Sequence, residues 1–374
     1  MILFYVQHLL GIGHLRRTLA IADACDQNGL EVCVISGGPA FDLGPFSHLP
    51  IHQLPPIQSA DLRFSSLVDE HGQPVNAALE SERADQLLRI FHRVSPRIVV
   101  TELFPFGRRR FRFEIEPLLD QAQKQGAKII CSVRDCVQHR SEEREAETLS
   151  FLQRYYDGVF VHGEKDFLPF DASFRRAIEV DDLSYTGFVD TAMATVPGGS
   201  SSNPEVLIAA GGGAAGEVLY EAVANARRLT RHHEVRWRML VGVNPSESLM
   251  QALRATGGDG LVVEPNRNDY RGLMTTCRLS VSQAGYNSTV DILSSGAPAI
   301  MVPFTGEGGE TEQPVRASRL AESGRVSLIN ESDLGAQHLA ETIDRLLDVG
   351  PPRFDPVCCD GATRSAEMLK NLIH

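Results

Sequence analysis

Ser282-Gln283-Ala284-Gly285-Tyr286-Asn287-Ser288-Thr289-Val290-Asp291 is the stretch whose reading decides the fold. The apolar run before it, Leu279 to Val281, has the composition of a buried strand, and a helical pattern follows to Ser295-Gly296. A glycine-bearing turn from strand to helix leaves backbone N–H groups pointing outward. The helix end adds partial positive charge, so the turn suits a phosphate. Asn287 and Asp291 are four residues apart and Ser288 and Asp291 three apart, which puts all three on one helix face. Asn and Ser can donate to phosphate oxygens, and a carboxylate one turn on can accept from vicinal sugar hydroxyls.

Outward from this turn the chain alternates strands and helices. Ile2 to Val6, Val32 to Ile35, Ile98 to Thr101, Lys128 to Ser132 and Gly158 to His162 read as strands in the first half. Helical patterns run from Leu15 to Asn28-Gly29, Ala77 to Val94, Phe113 to Gln125 and Glu142 to Tyr156. Pro55 to Pro74 reads as a long irregular loop. The segment Thr195 to Asn203 is small, polar and turn-rich, the composition of a linker. Alternation then restarts at Val206 to Ala209, and a last helical pattern spans Ala362 to Leu372. The expected organisation is a first α/β domain over 1–190, a linker over 191–204, a second over 205–356 and a terminal helix over 357–374. Both domains are expected to be doubly wound parallel sheets, with ligands at the C-terminal ends of the strands.

The 374 residues are ample for two cores. A formal charge of -12 argues against a general nucleic-acid binder. The seven cysteines are scattered without zinc spacing, as expected of a reducing, cytoplasmic compartment. The N-terminus lacks the features of a signal peptide, and no apolar run approaches the roughly 18–20 residues that span a bilayer. Peripheral contact with the inner membrane face stays open.

Gly285 to Asp291, followed by Gly296-Ala297-Pro298, Pro303-Phe304 and Glu312-Gln313, resembles the donor-binding signature of inverting GT-B glycosyltransferases. The pattern is similar to MurG-like enzymes, of the glycosyltransferase family 28 C-terminal-domain type, and to plant-type natural-product glycosyltransferases. The resemblance implies a GT-B fold, two Rossmann-like domains facing across a cleft, with a terminal helix that returns to the first. It also implies a nucleotide-diphospho-sugar co-substrate, UDP-linked first among the choices, with no cofactor and no obligatory metal. Asn287 and Ser288 would bond the donor phosphates, Asp291 the ribose, and Glu312 and Gln313 the sugar hydroxyls. Two departures stand out. The family usually carries Glu where Asp291 stands, and plant-type members carry a phosphate-binding histidine where Gln283 stands. The loop Gly211-Gly212-Gly213 follows a strand and can cradle a diphosphate; it lacks the GxGxxG spacing of a dinucleotide site.

In the first half, Gly11-Ile12-Gly13-His14 opens the first helix. Gly13 lets the backbone approach a ligand, and His14 has the right intrinsic pKa to take a proton from an attacking hydroxyl. The resemblance makes His14 the general base of a direct displacement. Glu102, Arg134, Asp135 and His162 follow strand ends, and Asp135 is one candidate to orient His14. Arg16 and Arg17 read as a solvated helix face, with a phosphate contact by either as the alternative. Phe104-Pro105-Phe106-Gly107-Arg108-Arg109-Arg110-Phe111-Arg112-Phe113 mixes four arginines with four phenylalanines. It reads either as contacts for an anionic or lipid-linked acceptor, Arg108 among them, or as buried rings with solvated arginines.

Other readings compete with transfer. A nucleotide-sugar hydrolase would use water as nucleophile. A nucleotide-sugar 2-epimerase is suggested by Thr311-Glu312-Gln313-Pro314. A non-catalytic nucleotide-sugar sensor would keep Asn287, Ser288 and Asp291 without needing His14.

Overall fold

The computed structural model describes residues 1–9, 11–61, 66–191, 205–210, 216–242, 245–267, 269–306 and 309–373. The chain divides into two compact units, Met1–Thr191 with Cys359–His374, and Ala192–Cys358. Most of the expected linker, and Gly211, Gly212 and Gly213, lie outside the described residues.

The strands of the first unit are β1 (Ile2–Val6), β2 (Val32–Ser36), β3 (Ile51–Gln53), β4 (Gln58–Ser59), β5 (Leu67–Val68), β6 (Ile98–Glu102), β7 (Lys128–Arg134), β8 (Gly158–His162) and β9 (Leu183–Tyr185). Seven form one parallel sheet in the order β3-β2-β1-β6-β7-β8-β9. The helices are α1 (Gly13–Gln27), α2 (Ala77–Val94), α3 (Arg112–Gln125) and α4 (Glu142–Tyr155). β1, β2, β6 and β8 are buried at every position, as strands covered on both faces must be. β3 and β9 were absent from the sequence reading because edge strands of three half-exposed residues carry little apolar signal. The stretch read as a long loop contains the antiparallel hairpin β4–β5.

Strand order reverses between β1 and β6, the place where open α/β sheets bind ligands. Side chains alternate faces along each strand. One stripe runs Ile98, Val100, Glu102 on β6 and continues as Ile130, Ser132, Arg134 on β7 and Phe160, His162 on β8. Its apolar members pack with Leu15, Leu19 and Ala22 of α1 in one core. The stripe therefore turns polar at the C-terminal end of each strand, beneath the start of α1.

In the second unit, β10 (Val206–Ala209), β11 (Trp237–Leu240), β12 (Leu261–Glu264), β13 (Leu279–Ser282), β14 (Ala299–Met301) and β15 (Val326–Leu328) form a parallel sheet ordered β12-β11-β10-β13-β14-β15. The helices are α5 (Glu217–Leu229), α6 (Glu247–Gly257), α7 (Tyr270–Thr276), α8 (Tyr286–Ser295), α9 (Glu312–Glu322) and α10 (Ala336–Val349). Its reversal point lies between β10 and β13, so the turn into α8 emerges there. α8 ends at Gly296, whose φ of +63° is left-handed, and a Cβ there would lie 2.0 Å from Phe354 O. The chain around Phe354 crosses this end: Phe354 N–H donates to Gly296 O, and Arg353 donates to Cys277 O, Met274 O and Ser295 O at 3.0–3.1 Å.

The last helix, α11 (Gly361–Asn371), belongs to the first unit and packs along α1. Ala366 and Leu369 join the core that holds Phe4 and Val34. Among the described residues no helix is long and apolar enough to cross a membrane.

Candidate active site

His14 sits in the first turn of α1, directly after Gly13, at the reversal point of the first sheet. Its Nδ1 lies 2.8 Å from Oε1 of Glu102, the last residue of β6. Arg17, three residues on along α1, donates to the same oxygen. Ser132 Oγ lies 2.8 Å from Glu102 Oε2 and 2.8 Å from His162 Nε2; His162 Nδ1 lies 2.7 Å from Thr186 Oγ1. Arg134 Nη2 approaches His14 Nε2 at 3.3 Å. His14 remains 13% exposed, whereas Glu102 and Arg17 are 2% exposed.

The charges follow from this packing. Burial opposes ionisation of Glu102, but Arg17 and the His14 hydrogen bond outweigh it and hold the carboxyl far below its usual range. An ionised Glu102 accepts from Nδ1–H of His14, so the lone pair of His14 lies on Nε2. Burial, then the neighbouring Arg134 cation, push the His14 pKa well below 6.5; Glu102 pulls against them. Near neutral pH His14 is an uncharged base with a defined tautomer. His162 is buried and pushed down to about 3, chiefly by burial.

Several expectations change here. The carboxylate on His14 is Glu102, whereas Asp135 is buried and accepts from the Cys136 N–H at 3.0 Å. Arg17 is a buried ion-pair partner, because a residue three along from His14 shares its helix face. Its signal was the polar residue at the end of the β6 stripe, which needs a counter-charge once buried. Arg108 donates from Nε to Gln7 O at 2.6 Å and so braces the loop after β1. In the mixed arginine–phenylalanine segment, Phe104, Phe106 and Phe111 are core. Phe106 meets Phe170 and Phe174 edge-on at 5.3 and 5.1 Å. Arg109 and Arg112 pair with Glu147, and Arg112 lies over the Phe151 ring at 4.5 Å. The rings are packing, and two of the four arginines are held in ion pairs.

In the second unit, Gly285 caps α8 in an ordinary extended conformation, with no side-chain cap on the helix. A Cβ on Gly285 would meet only Ser288 Oγ, at 4.0 Å. The chain's described packing does not demand glycine there; the missing side chain keeps space over the helix N-terminus. Asn287 and Ser288 are half-buried in the first turn, and Gln283 is buried just before it. Asp291 Oδ1 accepts from Arg271 of α7 at 2.7 Å. Gln313 Oε1 accepts from the N–H groups of Ala284 and Phe304, at 3.0 and 3.1 Å, and so ties the loops after β13 and β14 together. Arg316 is fully buried and donates to Ala284 O at 2.8 Å; buried Glu312 lies 3.9 Å from it. Arg271 lies outside the quoted motif and reaches Asp291 only through the fold, whereas Arg316 stands one helical turn after Glu312, a spacing present in the sequence.

Residues 206–354 match the glycosyltransferase family 28 C-terminal domain. The crystal structure of MurG from Acinetobacter baumannii superposes with a TM-score of 0.64, at 15% identity, over 99% of both chains. The chain is MurG-like and has the GT-B fold. The UDP-N-acetylglucosamine--N-acetylmuramyl-(pentapeptide) pyrophosphoryl-undecaprenol N-acetylglucosamine transferase of Parasynechococcus marenigrum is 33% identical over 111 residues, 29% of this chain and 31% of that protein. The chain spans a third to a half of the first curated relatives it matches. The same GT-B fold is found in a putative UDP-N-acetylglucosamine 2-epimerase from Listeria monocytogenes, with a TM-score of 0.61 at 14% identity, over 98% of this chain and 90% of that one. Fold and reaction are thus separate questions for this architecture.

Proposed function

We propose that this chain is an inverting glycosyltransferase that moves a sugar from a nucleotide-diphospho-sugar to an acceptor hydroxyl. The observation that carries the reading is the His14–Glu102 pair at the reversal point of the first sheet. A neutral histidine, oriented by an ionised carboxylate and still reachable by solvent, is what a general base requires.

In this mechanism the acceptor hydroxyl displaces Arg134 from His14 Nε2 and gives its proton to that nitrogen. Its oxygen bonds the anomeric carbon while the bond from that carbon to the diphosphate breaks, so the configuration inverts. Glu102 stabilises the imidazolium that forms. The second unit holds the donor: α8 N–H groups, Asn287 and Ser288 meet the diphosphate, and Asp291 the ribose. Gly212, Gly213 and Gln283 are assigned to the same phosphates, and Glu312 and Gln313 to the sugar. Arg134 and Arg108 remain the acceptor-side candidates, whereas the buried Asp135 is left to hold the loop after β7. The scheme calls for no metal and no cofactor. UDP is favoured because the curated relatives carry UDP-N-acetylglucosamine in their names, and a lipid-linked acceptor because the same names carry pyrophosphoryl-undecaprenol; peripheral contact with the inner membrane face is part of the proposal.

Purified protein is incubated with UDP-sugars, with and without membrane extract, in buffer containing EDTA, and UDP and free sugar are followed. Transfer gives UDP only with extract and a product of inverted anomeric configuration. His14→Ala lowers turnover by roughly 10²–10⁴ and leaves donor affinity unchanged. Release of UDP and free sugar without extract identifies a hydrolase or epimerase instead. Near-normal turnover of His14→Ala removes His14 from the mechanism, and activity that returns only with added magnesium overturns metal independence.

A further inference from the structure

We propose that His162 is a positioning residue for the His14–Glu102 pair, acting through Ser132 as part of a one-way run of hydrogen bonds that ends on Glu102. The inference rests on the reading of His14 as the base. It concerns three residues, Ser132, His162 and Thr186, that touch neither donor nor acceptor in that reading.

The direction of the run follows from counting protons. Glu102 is ionised beside Arg17, so it can only accept. Ser132 has one hydrogen and lies 2.8 Å from both Glu102 Oε2 and His162 Nε2. If Ser132 gave that hydrogen to His162, its oxygen and Glu102 Oε2 would face each other at 2.8 Å with no proton between them. Ser132 therefore donates to Glu102 and accepts from His162 Nε2–H. A neutral imidazole that donates at Nε2 accepts at Nδ1, so Thr186 must donate to it. The Thr186 hydroxyl has three acceptors in reach, and His162 Nδ1 at 2.7 Å is nearer than Gly187 O at 3.1 Å or Val161 O at 3.5 Å. Every hydrogen from Thr186 to Glu102 then points the same way. The carboxylate is bracketed by two neutral histidines in opposite tautomers, His14 as Nδ1–H and His162 as Nε2–H.

The consequence is mechanical. Arg17 and His14 hold Oε1, and the run from Thr186 holds Oε2. With both oxygens held, the carboxylate plane is fixed, and with it the direction in which His14 presents Nε2. Ser132, His162 and Thr186 are all buried, so water does not take over a missing member at low cost.

The test is read by nitrogen-15 NMR of the histidine rings in the full-length protein without substrate, and by turnover. The wild type should show His162 as the Nε2–H tautomer and His14 as the Nδ1–H tautomer. Gln can keep the donor near the Nε2 position, whereas Leu cannot. His162→Leu and Ser132→Ala should shift His14 toward a mixture of tautomers and lower kcat about 10-fold with donor KM unchanged, a fraction of what the base itself contributes. His162→Gln should stay within about 3-fold of wild type and keep the His14 tautomer. A wild-type His162 found as Nδ1–H overturns the proposal, even if the Leu variant fails to fold. So does a His14 tautomer unmoved in Ser132→Ala, or a Gln variant no better than Leu. The ring measurement needs no substrate, so it stands or falls separately from the transferase reading, which the turnover of His14→Ala decides.

Discussion

Arg17 and Glu102 form an ion pair in which each side chain is 2% exposed, and His14 shares the carboxylate. Two charges this deep depend on each other and on their hydrogen bonds to stay buried. Glu102→Gln leaves the Arg17 cation buried without its counter-charge. We expect a loss of about 3–5 kcal/mol in unfolding free energy, from urea midpoints at constant slope. The double variant Arg17→Met/Glu102→Gln should recover part of that stability but none of the turnover. A Glu102→Gln protein as stable as wild type would mean that the pair is not the buried unit described.

Stability should fall with acid in two stages. The folded pKa of His162 is about 3 against 6.5 for the free side chain, so between these values the unfolded chain binds a proton that the folded chain excludes. Its contribution is complete above about pH 6.5 and is lost at about 1.4 kcal/mol per pH unit as pH falls toward 3. Glu102, with a lowered value, contributes the same sign only below the ordinary carboxylate range. His14, His8 and His52 are also lowered and add to the first stage. Replacing His162 with Gln should therefore flatten the fall between pH 6.5 and 4.5 without abolishing it. An unchanged slope in that window would contradict a neutral, buried His162.

Arg134 depresses the basicity of His14 through its charge, second only to burial. Arg134→Gln should raise the His14 pKa toward its ordinary value. The acid limb of kcat/KM then moves to higher pH, and activity at mildly acidic pH falls relative to activity at pH 8. An acid limb that stays in place would separate Arg134 from His14.

Two glycines at opposite ends of α8 should behave differently. Gly296→Ala forces a side chain into a left-handed backbone and against Phe354 O, and should cost about 1–3 kcal/mol or more. Gly285→Ala meets almost nothing in the chain and should leave the urea midpoint in place. Under the proposed function it should weaken UDP binding in calorimetry, because the added methyl stands over the helix N-terminus. Undiminished UDP affinity would move the phosphate elsewhere.

Strand and helix alternation was readable because buried parallel strands such as Ile2 to Val6 are continuous apolar runs. The helical pattern from Ala77 to Val94 was equally plain, and in the structure Asn76 accepts from the Leu79 N–H at its start. His14 was visible in the glycine loop that opens the first helix, and Glu102 at a strand end. Their pairing was not, because 88 residues separate them and only the order β1 beside β6 brings them together. Arg17 looked like surface because an arginine on a helix usually is, and the period-2 stripe ending in Glu102 was the clue against it. Arg271 carries no local signature, since its partner Asp291 lies on another helix, whereas Arg316 stands four residues after Glu312 on one helix and only its bond to Ala284 O comes from the fold.

The placement of α11 has a consequence for biosynthesis. Ala366 and Leu369 complete a core whose other members, Phe4 and Val34 among them, leave the ribosome more than three hundred residues earlier. The amino-terminal unit must wait, one side of α1 unroofed, while the entire carboxy-terminal unit is translated. A fragment ending at Thr191 should therefore be aggregation-prone when expressed alone, and supplying the last sixteen residues in the same polypeptide should restore it.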